Sequence, residues 1–135
     1  MNKKHIKQSG VVPYYIDKGI KKIILVTAKN SNKNWIVPKG HIEKGMSPQL
    51  SAAKEAFEEA GIKGEVDSKV IGTLCYSKKS KKCKVDFFSF KVLEILDNWP
   101  EKDLRERIIV QENYVKKFVL DEKLLKIIKK ICPKK

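Results

Sequence analysis

One predicted helix, spanning residues 48–60, carries both a start signal and a stop signal and constrains the fold most strongly. Ser47 belongs to the residue types that cap helix N-termini, and Pro48 suits the first helical position. Gly61 suits the left-handed conformation with which many helices end. The sequence thus predicts a helix of defined length that follows a glycine-bearing loop.

The predicted helix has one apolar face and one acidic face. At about 100° per residue, the apolar arc takes in Leu50, Ala53, Ala56, Phe57 and Ala60. The other side presents the carboxylates of Glu55, Glu58 and Glu59. Like charges three and four residues apart repel each other, although a solvated helix face tolerates them. The alternative is that they hold a divalent cation such as Mg²⁺, which prefers oxygen ligands and shares its coordination with water and phosphate.

The stretch that contains this helix resembles the signature of the Nudix hydrolases. That signature reads G-x5-E-x7-R-E-U-x-E-E-x-G-U, in which U is a bulky apolar residue. Gly40 matches its first glycine, and the three helix glutamates match its R-E-U-x-E-E core. Gly61 and Ile62 match its end, so the resemblance covers residues 40–62.

Two residues in this stretch depart from the signature. Met46 stands where the family has its first glutamate, and Lys54 stands where the family has arginine. In the family these two positions are thought to brace the loop against the helix. The resemblance therefore leaves that brace in question, while the three helix glutamates are intact.

The resemblance implies an α/β fold, a Nudix-type α/β/α sandwich with a mixed β-sheet, formed by residues 1–135 as a single domain. It also implies hydrolysis of a nucleoside diphosphate linked to another group, with Mg²⁺ or Mn²⁺ as cofactor. By position, Glu58 and Glu59 are the main expected metal ligands. Glu55 is expected to bind the metal or to orient its water, and the carbonyl of Gly40 to add a neutral oxygen.

Four further residues are candidates for substrate binding. Lys39 precedes the motif glycine and either meets a phosphate or is an exposed lysine. His41 either lines the substrate site or bonds to nearby backbone. Lys82 belongs to a predicted hairpin loop at residues 77–84, SKKSKKCK, which could reach a polyphosphate from the rim of the site; Lys29 is a similar candidate.

Members of the resembled family often use one more glutamate, as a base or a ligand, from a loop before the last strand. The candidates here are Glu101, Glu106 and Glu112. Glu106 fits best, because RERIIV reads as a loop that enters a strand. The alternative for each of them is a surface ion pair.

Composition favours an anionic ligand. The chain carries 30 basic and 16 acidic residues and a formal net charge of +14, a field that attracts nucleotides, inositol polyphosphates, RNA or anionic membrane. Cys75, Cys83 and Cys132 show no CxxC spacing, so we expect reduced, mostly buried thiols and a cytoplasmic location. We expect no signal peptide and no membrane-spanning segment, because the sequence has no suitable apolar run.

The remaining patterns predict strands separated by loops, followed by one more helix. Strands are predicted at residues 10–16, 23–28, 35–37, 70–76, 85–93 and 107–111. Pro13 predicts that the first of them lies at an edge or a bulge of the sheet. Residues 63–68 form a connection or a short strand, and residues 121–131 form an amphipathic helix.

Three functional hypotheses follow. The first is a hydrolase acting on dinucleoside polyphosphates of the diadenosine tetraphosphate type or on diphosphoinositol polyphosphates, because WIVPKGHIEKG, KEAFEEAGIKG and NWPE are similar to the subgroup that cleaves these. The second keeps the chemistry but acts on the 5′-triphosphate end of RNA or on oxidised nucleoside triphosphates. The third is a non-catalytic module that binds nucleotide or RNA. A monomer and a dimer fit the sequence equally.

Overall fold

The computed structural model describes residues 5–31 and 33–131, and a seven-stranded β-sheet lies at its centre. The strands are β1 (His5–Asp17), β2 (Ile20–Thr27), β3 (Trp35–Ile36), β4 (Lys39–His41), β5 (Ile62–Lys78), β6 (Lys81–Ile95) and β7 (Arg107–Gln111). The helical segments are α1 (Pro48–Glu55), a π-helical turn (Ala56–Ala60), a 3₁₀-helix (Glu112–Lys117) and α2 (Glu122–Ile128).

The sheet is mixed and is covered by helices on both faces. Its order is β3-β2-β1-β6-β5, with β4 pairing with β1 and β7 pairing with β2. β1 and β6 run parallel, and the other described pairs are antiparallel. Because neighbouring strand residues point to opposite faces, Val11 and Phe88 pack towards α1, whereas Val12 and Phe87 pack towards α2. The predicted α/β fold class is confirmed.

Pro13 was predicted to lie at an edge or a bulge of the sheet, and the edge alternative is wrong. β1 lies inside the sheet, between β2 and β6. Along one side it pairs with β4 through residues 8–10 and with β2 through residues 14–17. The N–H of Val11 donates on that side to the carbonyl of Pro38 at 3.0 Å, so the nitrogen of Pro13 also faces it, between the two partners. The missing N–H of proline therefore interrupts neither pairing.

The hairpin of β5 and β6 is longer than predicted. The turn consists of Lys79 and Ser80 alone, both with positive φ (51° and 68°), a geometry that matches the twist of antiparallel strands. The rest of the predicted loop at 77–84 is strand, and the predicted connection at 63–68 belongs to β5, which contains register shifts. The loop at residues 77–84 was predicted from its many lysines, but lysines are equally tolerated on the exposed face of a strand.

Two predictions about burial are wrong. Leu50, assigned to the apolar arc, is 58% exposed, whereas Glu59, assigned to the exposed face, is only 4% exposed. The glutamate-bearing helix packs through its small residues, which turns its acidic side towards the sheet. Cys75 is exposed on the edge strand β5, while Cys83 is buried as predicted. Cys132 lies outside the described residues.

The end of the chain follows its predicted pattern. β7 has the predicted bounds, and α2 buries Leu124, Ile127 and Ile128 against the sheet. The carboxylate of Asp121 caps α2 by accepting the N–H of Lys123 at 2.9 Å. In the part of the chain that the structure describes, no helix is both long enough and apolar enough to cross a membrane.

Candidate active site

The glutamate helix, by which we mean α1 and its π-helical continuation (residues 48–60), begins and ends where the sequence predicts. The Ser47 hydroxyl accepts the N–H of Leu50 at 3.1 Å. Gly61 adopts φ of 66° and donates its N–H to the carbonyl of Phe57 at 3.0 Å. The π-helical turn was not predicted. Such turns are rare in proteins, but many of those that occur lie at functional sites. This one carries two of the three glutamates.

The carboxyl group of Glu55 lies against the backbone of Gly40. A β-carbon at residue 40 would overlap the carboxyl carbon of Glu55 and lie 2.5 Å from its Oε2. Burial raises the pKa of Glu55, and the neighbouring charges of Glu58 and Glu101 raise it further. Glycine at position 40 therefore leaves room for the Glu55 carboxyl group, which is partly shielded from water there.

Glu59 is the most buried of the three glutamates. Its Oε1 accepts the N–H of Lys39 at 3.3 Å, and its Oε2 lies 3.4 Å from Nη2 of Arg105. Burial raises the pKa of Glu59 from its ordinary 4.5 to about 8, even though the charge of Arg105 lowers it. A hydrogen bond with the carboxyl group of Glu55 adds to the rise. The half-buried carboxyl group of Glu55 and the buried one of Glu59 thus form a pair that a cation would stabilise in its charged form.

The brace between loop and helix exists, with a partner that the sequence did not suggest. Nζ of Lys54 lies 2.6 Å from the carboxylate of Glu43 and 3.2 Å from that of Glu58. The backbone N–H of Glu43 donates to Oγ of Ser51 at 3.0 Å. Glu43 therefore supplies the loop side of the contact that Met46 cannot make.

The three helix carboxylates do not converge on one point. Glu55 and Glu59 contact each other, whereas Glu58 faces Lys54. Within residues 5–31 and 33–131, no group of three His, Cys, Asp or Glu side chains is arranged to hold a metal ion. Mg²⁺ in proteins often takes only one or two carboxylates, with water and phosphate completing its shell. The oxygen donors of Glu55 and Glu59 therefore fit a hard divalent cation.

Arg105 is a site residue that the sequence analysis missed. Besides facing Glu59, it donates through Nε to the carboxylate of Glu101 at 2.7 Å and through Nη1 to the carbonyl of Thr27 at 3.1 Å. One guanidinium group therefore joins the end of β2, the 96–106 loop and the glutamate helix. The one available signal was its rarity, because arginine occurs only at residues 105 and 107 of a lysine-rich chain.

The same loop closes the C-terminal end of the glutamate helix. Nε1 of Trp99 donates to the carbonyl of Glu59 at 3.1 Å, and Arg107 donates to the carbonyl of Ala60 at 2.8 Å. The central guanidinium carbon of Arg107 lies 4.0 Å from the centroid of the Trp99 ring, a cation–π distance. A β-carbon at Gly61 would lie 2.7 Å from the indole. These contacts satisfy last-turn carbonyls and fix the end that carries the glutamates.

Three glutamates were considered as an extra base. Glu101 lies close enough to the carboxyl pair for its charge to raise the pKa of Glu55. Glu106 enters β7 with an exposed side chain. Glu112 lies 3.1 Å from the ammonium group of Lys21, in an ion pair. Glu106 as the extra base stays a prediction.

Lys39 links the carboxyl pair to the opposite face of the sheet. Its backbone N–H donates to Glu59, whereas its Nζ donates to the hydroxyl of Tyr76 at 3.0 Å. That hydroxyl in turn donates to Oε1 of Gln8 at 2.7 Å. The Lys39 ammonium is thus held on the face of the sheet opposite the carboxyl pair, with its other donor positions available to an anion.

A cavity of about 360 Å³ opens beside Lys39 and Tyr76. Its apolar lining consists of Ile36, Val37, Leu74, Val85, Phe87 and Leu124. Asp121 and Lys123 contribute polar groups to its wall. The cavity combines a mainly apolar lining with the cationic group of Lys39 in its wall, which is typical of small-molecule sites.

The other predicted substrate residues are exposed and are placed differently. His41 is two residues after Lys39 in β4, so their side chains share a face of the sheet. Lys82 faces the opposite side from Tyr76 in the β5–β6 register. Lys29 lies in the loop after β2 with an exposed side chain. The structure therefore brings His41 near Lys39 and separates Lys82 from Tyr76.

Comparisons with known proteins agree on one family. The family model described as NUDIX domain matches residues 7–121. The chain is 31% identical to "Nudix hydrolase 12, mitochondrial" of Arabidopsis thaliana, over 73% of this chain and 59% of that protein. It is 32% identical to "Diphosphoinositol polyphosphate phosphohydrolase 2" of Rattus norvegicus, over 58% of this chain and 42% of that protein. The chain thus spans about half the length of these relatives.

Solved structures share the fold. A C. elegans Ap4A hydrolase binary complex is similar with a TM-score of 0.78 and 22% identity, over 93% of each chain. The MutT protein from Methanosarcina mazei Go1 is similar with a TM-score of 0.71 and 18% identity, over 96% of this chain and 94% of that one. At these identities the likeness concerns the fold alone. Because the family model covers most of its residues, however, the chain belongs to the Nudix family.

Proposed function

We propose that the protein hydrolyses a phosphoanhydride bond of a polyphosphorylated substrate in a reaction that needs Mg²⁺ or Mn²⁺. The observation that carries this proposal is the contact between the half-buried carboxyl group of Glu55 and the buried one of Glu59, with the pKa of both raised by burial. A solvated helix face would leave both carboxylates in water. When bound, the cation would neutralise phosphate charge and make a water molecule more acidic.

The surrounding residues would orient the pair and the phosphates. Glu59 is held from two sides by Lys39 and Arg105, and Glu55 is held against Gly40. These contacts support Glu55 and Glu59 as the carboxylate ligands, with Glu58 beside them and the Gly40 carbonyl as a further oxygen. The ammonium of Lys39 would bind a phosphate oxygen. This arrangement restrains the reacting groups before the substrate arrives.

Among substrates we favour dinucleoside polyphosphates. The cavity beside Lys39 has a mainly apolar lining, which suits a nucleobase better than an inositol ring that carries a phosphate on most of its carbons. A phosphate chain would run from the cavity past Lys39 to the carboxyl pair. Recognition of a base together with several phosphates describes a dinucleoside polyphosphate.

Diphosphoinositol polyphosphates are the second candidate. One relative is named a phosphohydrolase of this substrate, and the net charge of +14 suits a ligand with many phosphates. Triphosphorylated RNA, oxidised nucleoside triphosphates and a non-catalytic binding role are the remaining alternatives. The cytoplasmic location, the single domain and the choice between monomer and dimer also stay predictions.

The test is product analysis with Mg²⁺ across diadenosine tetraphosphate, a diphosphoinositol polyphosphate, triphosphorylated RNA and 8-oxo-dGTP. Glu59→Gln should reduce turnover by roughly 100-fold or more, because the amide keeps the shape of the side chain but lacks its charge. Glu94→Gln, which changes an exposed glutamate of β6, is the matched control. Lys39→Met should raise KM by about tenfold, since it removes a charge-assisted hydrogen bond to phosphate. Lys44→Met, in the exposed loop, is its control.

Each result selects one reading. Turnover of diadenosine tetraphosphate that is lost in Glu59→Gln supports the favoured function. Turnover of another member of the panel alone moves the assignment to that substrate. A folded protein that binds a polyphosphate but turns over nothing is a non-catalytic module. Equal turnover by Glu59→Gln and the wild type would remove the carboxyl pair from the mechanism.

A further inference from the structure

The hydroxyl of Ser9 is buried without a hydrogen-bond partner. Ser9 lies in β1 and is fully buried. Among the described residues, its Oγ is the buried side-chain nitrogen or oxygen that lacks a partner. Buried hydroxyl groups nearly always have partners, because leaving water without a replacement bond is unfavourable. A buried hydroxyl group without a partner therefore needs a physical explanation.

This hydroxyl points towards the glutamate helix. Val11, two residues further along β1, packs with Ala52 and Ala56 of that helix. Alternate residues of a strand share a face, so the side chain of Ser9 projects to the same side. The backbone register thus aims Ser9 at the helix that carries the carboxyl pair.

The register with β4 brings Ser9 to Glu55 in particular. Ser9 and Gly40 are direct partners in the antiparallel β1–β4 pair. Side chains at such positions leave the same face about 5 Å apart. The position of a side chain at Gly40 is filled by the Glu55 carboxyl group. The Ser9 hydroxyl and the Glu55 carboxyl group are therefore neighbours across β1 and β4.

On its other side Ser9 is the register partner of Asp86 in β6. One oxygen of that carboxylate already accepts the hydroxyl of Thr73, at 2.8 Å. Asp86 is thus engaged with the β5–β6 hairpin, whereas Glu55 belongs to the proposed cation site. Of its two acidic neighbours, Glu55 is the one whose carboxylate must be oriented for function.

We propose that Ser9 is a positioning residue for Glu55. In the cation-loaded site its hydroxyl donates to the Glu55 carboxylate, directly or through one ordered water, and fixes the oxygen that faces the cation. This inference rests on the proposed function for the identity of the cation site. Residues that hydrogen-bond to a metal ligand fix its orientation and strengthen its binding. The unpaired hydroxyl is thereby explained as a donor kept for the loaded state.

The test compares Ser9→Ala, Ser9→Cys and the wild type in three measurements: Mn²⁺ affinity by calorimetry without substrate, Tm, and separate kcat and KM values for diadenosine tetraphosphate. Ser9→Ala should weaken Mn²⁺ binding by about tenfold and lower kcat similarly, with KM within about twofold of the wild type. Its Tm should equal or exceed that of the wild type, because an unpaired buried hydroxyl is removed. Ser9→Cys preserves the packing with a weak donor and should also weaken Mn²⁺ binding.

Ser89→Ala, which changes a half-buried serine on the opposite face of the sheet, is the control and should leave Mn²⁺ affinity unchanged. Wild-type Mn²⁺ affinity in Ser9→Ala would overturn the inference, as would wild-type affinity in Ser9→Cys, which would assign the effect to packing. Because Mn²⁺ binding is measured without substrate, a wild type that hydrolyses nothing would defeat the proposed function alone. Turnover by the wild type with unchanged Ser9 variants would defeat this inference alone.

Discussion

The guanidinium of Arg105 lies 3.4 Å from the carboxylate of Glu59, and both side chains are at most 10% exposed. Two charges in so dry a place interact more strongly than on the surface, because little water screens them. Arg105 thereby offsets part of the burial that disfavours a charged Glu59. Its hydrogen bonds to Thr27 and Glu101 fix the position of the Arg105 guanidinium group.

At about pH 9, above the folded pKa of Glu59, Arg105→Met should lower the free energy of unfolding by roughly 3 kcal/mol, since it leaves a buried carboxylate and a carbonyl without their donor. Urea denaturation in EDTA measures this change. Arg105→Lys should fall between Met and the wild type, because an ammonium group cannot replace the three-way fork of the guanidinium. An Arg105→Met protein with the denaturation midpoint of the wild type would show that the contact contributes no stability.

The metal-free protein should lose stability as the pH rises. The folded pKa of Glu59, about 8, lies above the ordinary 4.5. Between these values the unfolded chain releases its proton first, so the folded state binds more protons and stability falls with pH. In EDTA, Tm should drop by about 5 °C or more from pH 5 to pH 8.5, and Mg²⁺ should recover it at the higher pH. Glu59→Gln should flatten the curve; an equally steep curve in that variant would assign the effect to other groups.

Gly40→Ala should displace the Glu55 carboxyl group, because the new β-carbon would occupy its place. We expect a loss of about 1–3 kcal/mol of stability and weaker Mn²⁺ binding. A double-mutant cycle with Glu55→Ala isolates the contact. In the Glu55→Ala background, Gly40→Ala should change Tm little, because the clashing group is gone. A full loss of stability in both backgrounds would place the conflict in the backbone of β4.

Glu101→Gln and Glu106→Gln should separate the two candidates for the extra base. Glu101 raises the pKa of Glu55 and holds Arg105, so its amide variant should lower kcat by about tenfold or more. Glu106 has an exposed side chain, and its variant should stay within about twofold of the wild type. The reverse order of kcat values would restore Glu106 as the base predicted from sequence.

Lys21→Met should destabilise the C-terminal end of the described chain without altering metal binding. The buried Nζ of Lys21 donates to the carbonyl of Ile131 at 2.8 Å and lies 3.1 Å from Glu112. Losing the bond to a buried carbonyl costs about 1–3 kcal/mol, whereas Glu112 is half-exposed and can turn to water. Lys126→Met, on the exposed side of α2, is the control. Equal urea midpoints for both variants would contradict the prediction.

Capping residues and short-range sequence patterns predicted correctly those helices and strands whose ends are set by residues close in the chain. Ser47, Pro48 and Gly61 fixed the glutamate helix, and residues 107–111 became a strand with the predicted bounds. Pro13 was misplaced because a strand can change partner along one side, which only the assembled sheet reveals. The burial of Glu59 was missed because a uniform 100° step does not hold through a π-helical turn.

The site was predictable only where its residues lie close together in the chain. Gly40 and Glu55, which the structure places against each other, were both identified from one continuous motif. Arg105 could not be found in this way, because it gathers Thr27, Glu59 and Glu101 from three separate segments. Pairings of this kind depend on the order of the strands, which spacing in a single sequence does not encode.

The π-helical turn amounts to one residue inserted into an otherwise regular helix. Deleting Phe57 would let the helix close with ordinary spacing and would shorten the path to the fixed end at Gly61. The same deletion would rotate the last two glutamates by about 100° relative to Glu55 and dissolve the carboxyl pair. The irregular backbone therefore sets the angular position of the glutamates, and length-changing mutations in this helix should be far less tolerated than substitutions.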